Sequence, residues 1–113
     1  MDQPGSGDQA AIDGFSISID DSGTIVVVGD IDMASGPLLD AAIVAHEAGH
    51  RVVLDLGGVS FIDSSGLRSL LAASRRASLG KSTVSLRSVG PAVTRLLEIT
   101  GTTSLFSLDN TDD

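Results

Sequence analysis

Hydrophobic and polar positions change period several times along this chain. Phe15, Ile17 and Ile19 alternate with Ser16 and Ser18, a period of two that predicts a strand with one buried face. Asp20-Asp21-Ser22-Gly23 supplies turn chemistry, and the β-branched run 24–28 predicts a second strand, paired antiparallel to the first in a hairpin. Pro37 then opens a helical spacing of Leu38, Leu39, Ala42, Ile43 and Ala45 that Gly49 closes. Residues 51–56 are a short run, apolar from Val52 on and broken only by Asp55, as expected of a central strand covered on both faces. Leu67, Leu70 and Leu71 follow at helical spacing behind a cap at Asp63 or Ser64, with Arg75 and Arg76 in the last turns and Gly80 at the end. Residues 83–87 alternate again as a strand. Pro91 starts a third helix through Val93, Leu96 and Leu97 to Gly101, and Leu105, Phe106 and Leu108 predict a last short strand.

The order is β-β-α-β-α-β-α-β. Helical crossovers join parallel strands and turn right-handed, so the predicted class is α/β, a mixed and mostly parallel sheet with an antiparallel N-terminal hairpin. The pattern runs without a linker over residues 14–109, one domain. Residues 1–13, polar and Gly-rich, and residues 110–113 are expected to be flexible tails.

Composition narrows the function. Three Phe with no Trp or Tyr leave few platforms for stacking bases, and a formal charge of −8 repels a phosphate backbone, so no direct nucleic-acid partner is expected. Residues 1–50 hold nine acids and no Lys or Arg, whereas residues 51–113 hold six acids and seven bases, so the N-terminal half presents an acidic surface. The absence of cysteine excludes disulfides, a thiolate nucleophile and cysteine-based metal sites. No basic and apolar leader opens the sequence, and no apolar run is long enough to span a bilayer; a cytoplasmic protein without membrane insertion is expected.

The densest chemistry lies in residues 54–67, where a buried strand leads through a loop into the second helix. Ser64 and Ser65 fall at that helix's N-terminus, where unpaired N–H groups and the helix dipole tolerate a phosphoryl group of about −1.5 to −2 charges. Gly66 in the first turn is expected to leave the hydroxyls open to an approaching enzyme. The same two serines equally suit plain capping, and spacing does not choose between them. No G-x-S-x-G elbow supports a serine nucleophile.

These residues resemble the STAS-domain anti-sigma-factor antagonists. Gly29-Asp-Ile-Asp32 is similar to the family's Gly-Glu-Leu-Asp, Val53-Leu-Asp-Leu56 and Phe61-Ile-Asp-Ser-Ser-Gly-Leu67 to its central strand and phosphorylation loop, and Gly90-Pro-Ala-Val-Thr-Arg-Leu-Leu-Glu-Ile-Thr-Gly101 to a further block. The four blocks cover about residues 24–106 in order. The resemblance implies a partner-switching protein rather than an enzyme, with no cofactor. In such families the unphosphorylated antagonist binds an anti-sigma factor that is also a serine protein kinase and so frees a sigma factor; phosphorylation releases the kinase, and a PP2C-type phosphatase resets the switch. Carried over, the phosphorylated residue is Ser64, ahead of Ser65. Asp32 and Asp63 flank it, and Ser65, Gly66, Leu67, Arg68 and Leu71 of the second helix contribute to the docking face. The family commonly adds a helix after its last strand where this chain has only Asn110-Thr-Asp-Asp, so one sheet face is expected to be thinly covered. Ser35-Gly-Pro also replaces the family's usual Thr-Ala at the first helix start. A STAS scaffold without a phospho-switch is the alternative.

Other motifs compete. His46-Glu47-x-x-His50 matches the zincin pattern of a small zinc hydrolase, but strand-like Val52 follows too soon and Gly49 reads as a helix stop, so these histidines read as a solvent-facing helix end. Asp30, Asp32 and Asp63 lie near strand ends, where they suit either Mg²⁺ or a solvated acidic rim. Leu79-Gly-Lys-Ser82 ends like a P-loop but has Arg75 where the first Gly belongs, and reads as a turn. Arg68, Arg75 and Arg76 read as a solvated cationic face.

Overall fold

The computed structural model describes residues 9–12, 14–47 and 51–109. Six strands form one sheet in chain order: β1 (Gln9–Ile12), β2 (Phe15–Ile19), β3 (Ile25–Ile31), β4 (Val53–Ile62), β5 (Ser85–Arg87) and β6 (Ser107–Asp109). The helices are α1 (Gly36–Glu47), α2 (Ser64–Leu79) and α3 (Pro91–Thr100), and a 3₁₀ turn at Thr103–Leu105 precedes β6. The first three strands pair antiparallel and the rest parallel, as the class predicts. The β2–β3 turn is held by the Asp20 carboxylate, which accepts from the Ser22 and Thr24 N–H groups and the Ser22 hydroxyl.

Strands β3 to β6 are consecutive neighbours, so three right-handed crossovers stepping in one direction put all three helices on one face. Burial alternates accordingly. Ile17, Ile25, Val27, Leu54, Leu56, Val84 and Leu86 are buried with Leu39 and Ile43 of α1, Leu67 and Leu70 of α2, and Val93 and Leu97 of α3. Val26, Val53 and Asp55 are only half-buried, and Val28, Asp30 and Arg87 are exposed. The expectation that the central strand is covered on both faces is therefore corrected: β4 is half-buried on the side away from the helices.

Several boundaries differ from the pattern reading; β3 runs on to Ile31 rather than ending at residue 28, β5 begins at Ser85 rather than 83, and β6 begins only at Ser107, after Phe106. Residues 9–12, assigned to a tail, form an edge strand on β2, turned back at Gly14 with φ of 71°. Residues 1–8 and 110–113, the rest of the two expected tails, lie outside the described residues, as does Asp13. β4 does not stop at Leu56 but runs on to Ile62, with register shifts against β3 that accommodate Gly57 and Gly58. A Cβ on Gly58 would lie 2.9 Å from Val28 Cγ2, so the missing side chain lets the strands approach there. Leu105 belongs to the 3₁₀ turn rather than to the last strand.

Candidate functional site

The parallel pair β3–β4 ends with Ile31 opposite Ile62, so the next residues, Asp32 and Asp63, leave the sheet side by side. The Asp63 N–H donates to the Ile31 carbonyl at 3.1 Å, tying the start of α2 to the end of β3. Asp63 is the N-cap of α2: its carboxylate accepts from Gly66 N–H at 3.0 Å and its carbonyl from Leu67 N–H at 2.9 Å. Capping is thus done by the aspartate, and neither serine is needed for it.

Ser64 is the first residue of α2. It is exposed, and its hydroxyl has no hydrogen-bond partner among the described residues. Ser65 is half-buried beside it. Backbone N–H groups at the helix start and the positive end of the α2 dipole favour negative charge at Ser64.

Asp32 is built into the turn before α1. Its carboxylate accepts from the Ala34 and Ser35 N–H groups, each at 3.0 Å, and lies 3.1 Å from the Ser35 hydroxyl. The Ser35 N–H, foremost among these bonds, holds the Asp32 carboxyl below the usual carboxylate range. Ser35 is 1% exposed; its hydroxyl accepts from Asp32 N–H at 2.9 Å and donates to the Asp30 carbonyl at 2.7 Å. Sequence reading treated Ser35 only as a helix start; its role in fixing Asp32 lies in bonds between near neighbours that no spacing rule encodes.

Gly66 has a different role from the one expected. It is buried, and a Cβ there would lie 2.6 Å from both Ile31 Cγ2 and the Ile31 carbonyl oxygen, and 2.9 Å from Ile62 Cγ1. Its lack of a side chain seats the first turn of α2 on the strand ends rather than exposing the hydroxyls. Leu67, expected on the docking face, is 6% exposed and belongs to the core. Arg68 is exposed one turn beyond Ser64 on the same helix face, and Leu71 is half-buried one turn further on. Gly36 of α1 sits against α2, where Ser69 Oγ donates to its carbonyl at 3.4 Å.

Among the described residues, the competing motifs do not converge into sites. Glu47 is engaged through both carboxylate oxygens by Arg76 Nε at 3.0 Å, so it is charge-paired rather than poised as a base. His46 lies against the Gly23 turn, and His50 is outside the described residues. Asp30 accepts from the Ser60 hydroxyl at 3.3 Å, and no group of three potential metal ligands converges among the described residues. Gly80 and Lys81 form the turn that ends α2. No helix among the described residues is long and apolar enough to cross a membrane.

The chain belongs to the STAS-domain family. Residues 16–107 match the family model described as "Mlab, STAS domain". The chain is 30% identical over 90 residues to the anti-sigma-B factor antagonist of Listeria monocytogenes, covering 78% of this chain and 79% of that protein. The crystal structure of an anti-sigma factor antagonist from Mycobacterium paratuberculosis superposes with a TM-score of 0.69 at 32% identity, over 93% of this chain and 85% of that one. The Bacillus cell fate determinant SpoIIAA in its phosphorylated form shares the fold with a TM-score of 0.62 at 18% identity, over 87% of this chain and 93% of that one.

Proposed function

We propose that this STAS domain is a cytoplasmic anti-sigma-factor antagonist whose binding is switched off by phosphorylation of Ser64. The observation that carries the reading is the Ser64 hydroxyl itself: exposed, unbonded among the described residues, and relieved of capping by Asp63. The antagonists named among its relatives support an anti-sigma factor as the partner class; that this partner is also the serine kinase, and that a PP2C-type phosphatase resets the switch, is part of the proposal. The role is regulatory binding rather than catalysis.

Phosphorylation adds about −1.5 to −2 charges to a hydroxyl already beside Asp63 and Asp32. The phosphate is accommodated by the helix N-terminus, so α2 persists while the face it presents becomes more negative. A carboxylate of the partner seated against the uncharged hydroxyl then meets like charge, and the release weakens as salt shortens the screening length. Incubation with the cognate kinase and ATP tests the site: wild type takes up phosphate and Ser64→Ala does not, while Ser65→Ala is labelled like wild type. Equal labelling of wild type and Ser64→Ala overturns the assignment. Labelling of neither, with partner binding unchanged in Ser64→Asp, makes the chain a STAS scaffold without a switch.

A further inference from the structure

Away from Ser64, exposed apolar surface gathers at the other end of α2. Leu79 is 82% exposed and Leu105 48%, and with Leu71, Arg75 and Ser78 they line a groove of about 370 Å³ between α2 and the 3₁₀ turn. Its walls are tied together, since the Ser74 hydroxyl donates to the Leu105 carbonyl at 3.1 Å. Scattered exposed leucines are ordinary, but here leucines stand on both walls of one fixed cleft. Leu71, Arg75 and Ser78 recur at helical spacing on the face that Arg68 continues.

Charge selects what fits there. The sequence of α2 contains Arg68, Arg75 and Arg76 and no acid, in a chain whose net charge is −8. Arg76 is paired with Glu47, whereas Arg68 and Arg75 have no ion-pair partner among the described residues. The groove therefore offers leucine-lined walls and an unpaired guanidinium, complementary to a segment carrying apolar residues one turn apart with carboxylates beside them.

We propose that this groove is a docking site for an acidic amphipathic helix of a partner protein, its leucines entering between Leu71, Leu79 and Leu105 and a carboxylate meeting Arg75. Arg75 is eleven residues beyond Ser64, roughly 16 Å along the helix, so the contact does not depend on the phosphorylation state of Ser64.

Two synthetic helical peptides of about 18 residues test this, sharing leucines at i, i+4 and i+7 and differing only in flanking Glu or Lys. Titrated into the ¹⁵N-labelled full chain, the Glu peptide should shift the amides of residues 71–79 and 102–105 saturably and bind roughly tenfold or more tightly than the Lys peptide. Arg75→Glu should reverse that preference, and the double variant Leu79→Ser, Leu105→Ser should lose binding with an otherwise unchanged amide spectrum, since these side chains are exposed. Equal affinity for the two peptides, shifts centred on Val28 and Phe61 of the open sheet face, or groove shifts that grow with protein concentration without peptide each overturn the proposal; the last makes the groove a contact between copies of this chain. Ser64 labelling is unaffected by any of these outcomes, so the two proposals fail separately.

Discussion

Replacing Gly66 by alanine sets two opposed effects against each other at the start of α2. Alanine is favoured over glycine within a helix by about 0.8–1 kcal/mol, so propensity alone predicts stabilisation. The added Cβ, however, would lie 2.6 Å from Ile31 Cγ2 and from the Ile31 carbonyl oxygen, and 2.9 Å from Ile62 Cγ1. The carbonyl belongs to the last residue of a paired strand and cannot rotate aside, so the first turn of α2 must lift. Overpacking of this kind costs roughly 1–3 kcal/mol, and with the obstruction on both strands the upper half of that range applies. The net expectation is destabilisation of about 1–2 kcal/mol, a fall in Tm of roughly 5–10 °C for a domain of this size. Urea unfolding followed by circular dichroism measures it. Gly80→Ala is the control, because a Cβ there meets only the Ala77 carbonyl oxygen at 3.6 Å, and its effect should stay within about 0.5 kcal/mol. Ser64 should also be phosphorylated more slowly in Gly66→Ala, since lifting the turn displaces the hydroxyl. A Gly66→Ala protein as stable as wild type would refute the wedged geometry at the strand ends.

Further expectations follow from the same bonds. Asp63→Ala removes the side-chain bond to Gly66 N–H and should cost about 0.5–2 kcal/mol, whereas Asp63→Asn keeps an acceptor and should lose less, as read from urea midpoints. Arg76→Ala breaks the pair with Glu47, whose side chains are 35% and 26% exposed, and should cost roughly 0.2–1 kcal/mol, shrinking as salt rises. Asp32 has a folded pKa depressed below its unfolded value, so its contribution to stability is complete above about pH 4 and is lost as pH falls through the lower, folded value. Urea midpoints measured from pH 7 to pH 3 should therefore fall less steeply at the acid end for Asp32→Asn than for wild type.

Much of this was legible in the sequence, for reasons particular residues show. Asp63 ahead of leucines at helical spacing marks the start of α2, and Pro91 with Gly101 brackets α3, where Gly101 takes the left-handed φ of 70° that the helix end requires. The continuation of β4 through Gly57-Gly58 was not legible. Paired glycines read as a loop unless the neighbouring strand's Val28 is known to press against them. Strand β1 lacks the β-branched run that marks a strand, although Asp13-Gly14 before Phe15 carried a hairpin signal that could have found it. At the site, Ser64, Asp32 and Asp63 could be named from motif and resemblance. Only the fold shows that Asp63 does the capping, that Gly66 and Leu67 face inward, and that buried Ser35 fixes Asp32. For Gly66 the deciding contact is with Ile31, distant in sequence, whereas the Asp63 and Ser35 bonds are local but several local bonding choices were open to these residues.

In the proposed switch, one phosphoryl group on Ser64 decides whether this face binds its partner. The most direct measurement is the affinity of the cognate anti-sigma factor for the unmodified chain and for chain fully phosphorylated at Ser64, by calorimetry at low and at physiological salt. The unmodified form should bind tightly, phosphorylation should weaken binding at least tenfold, and the loss should be smaller at higher salt. Equal affinity of the two forms at both salt concentrations would contradict the switch.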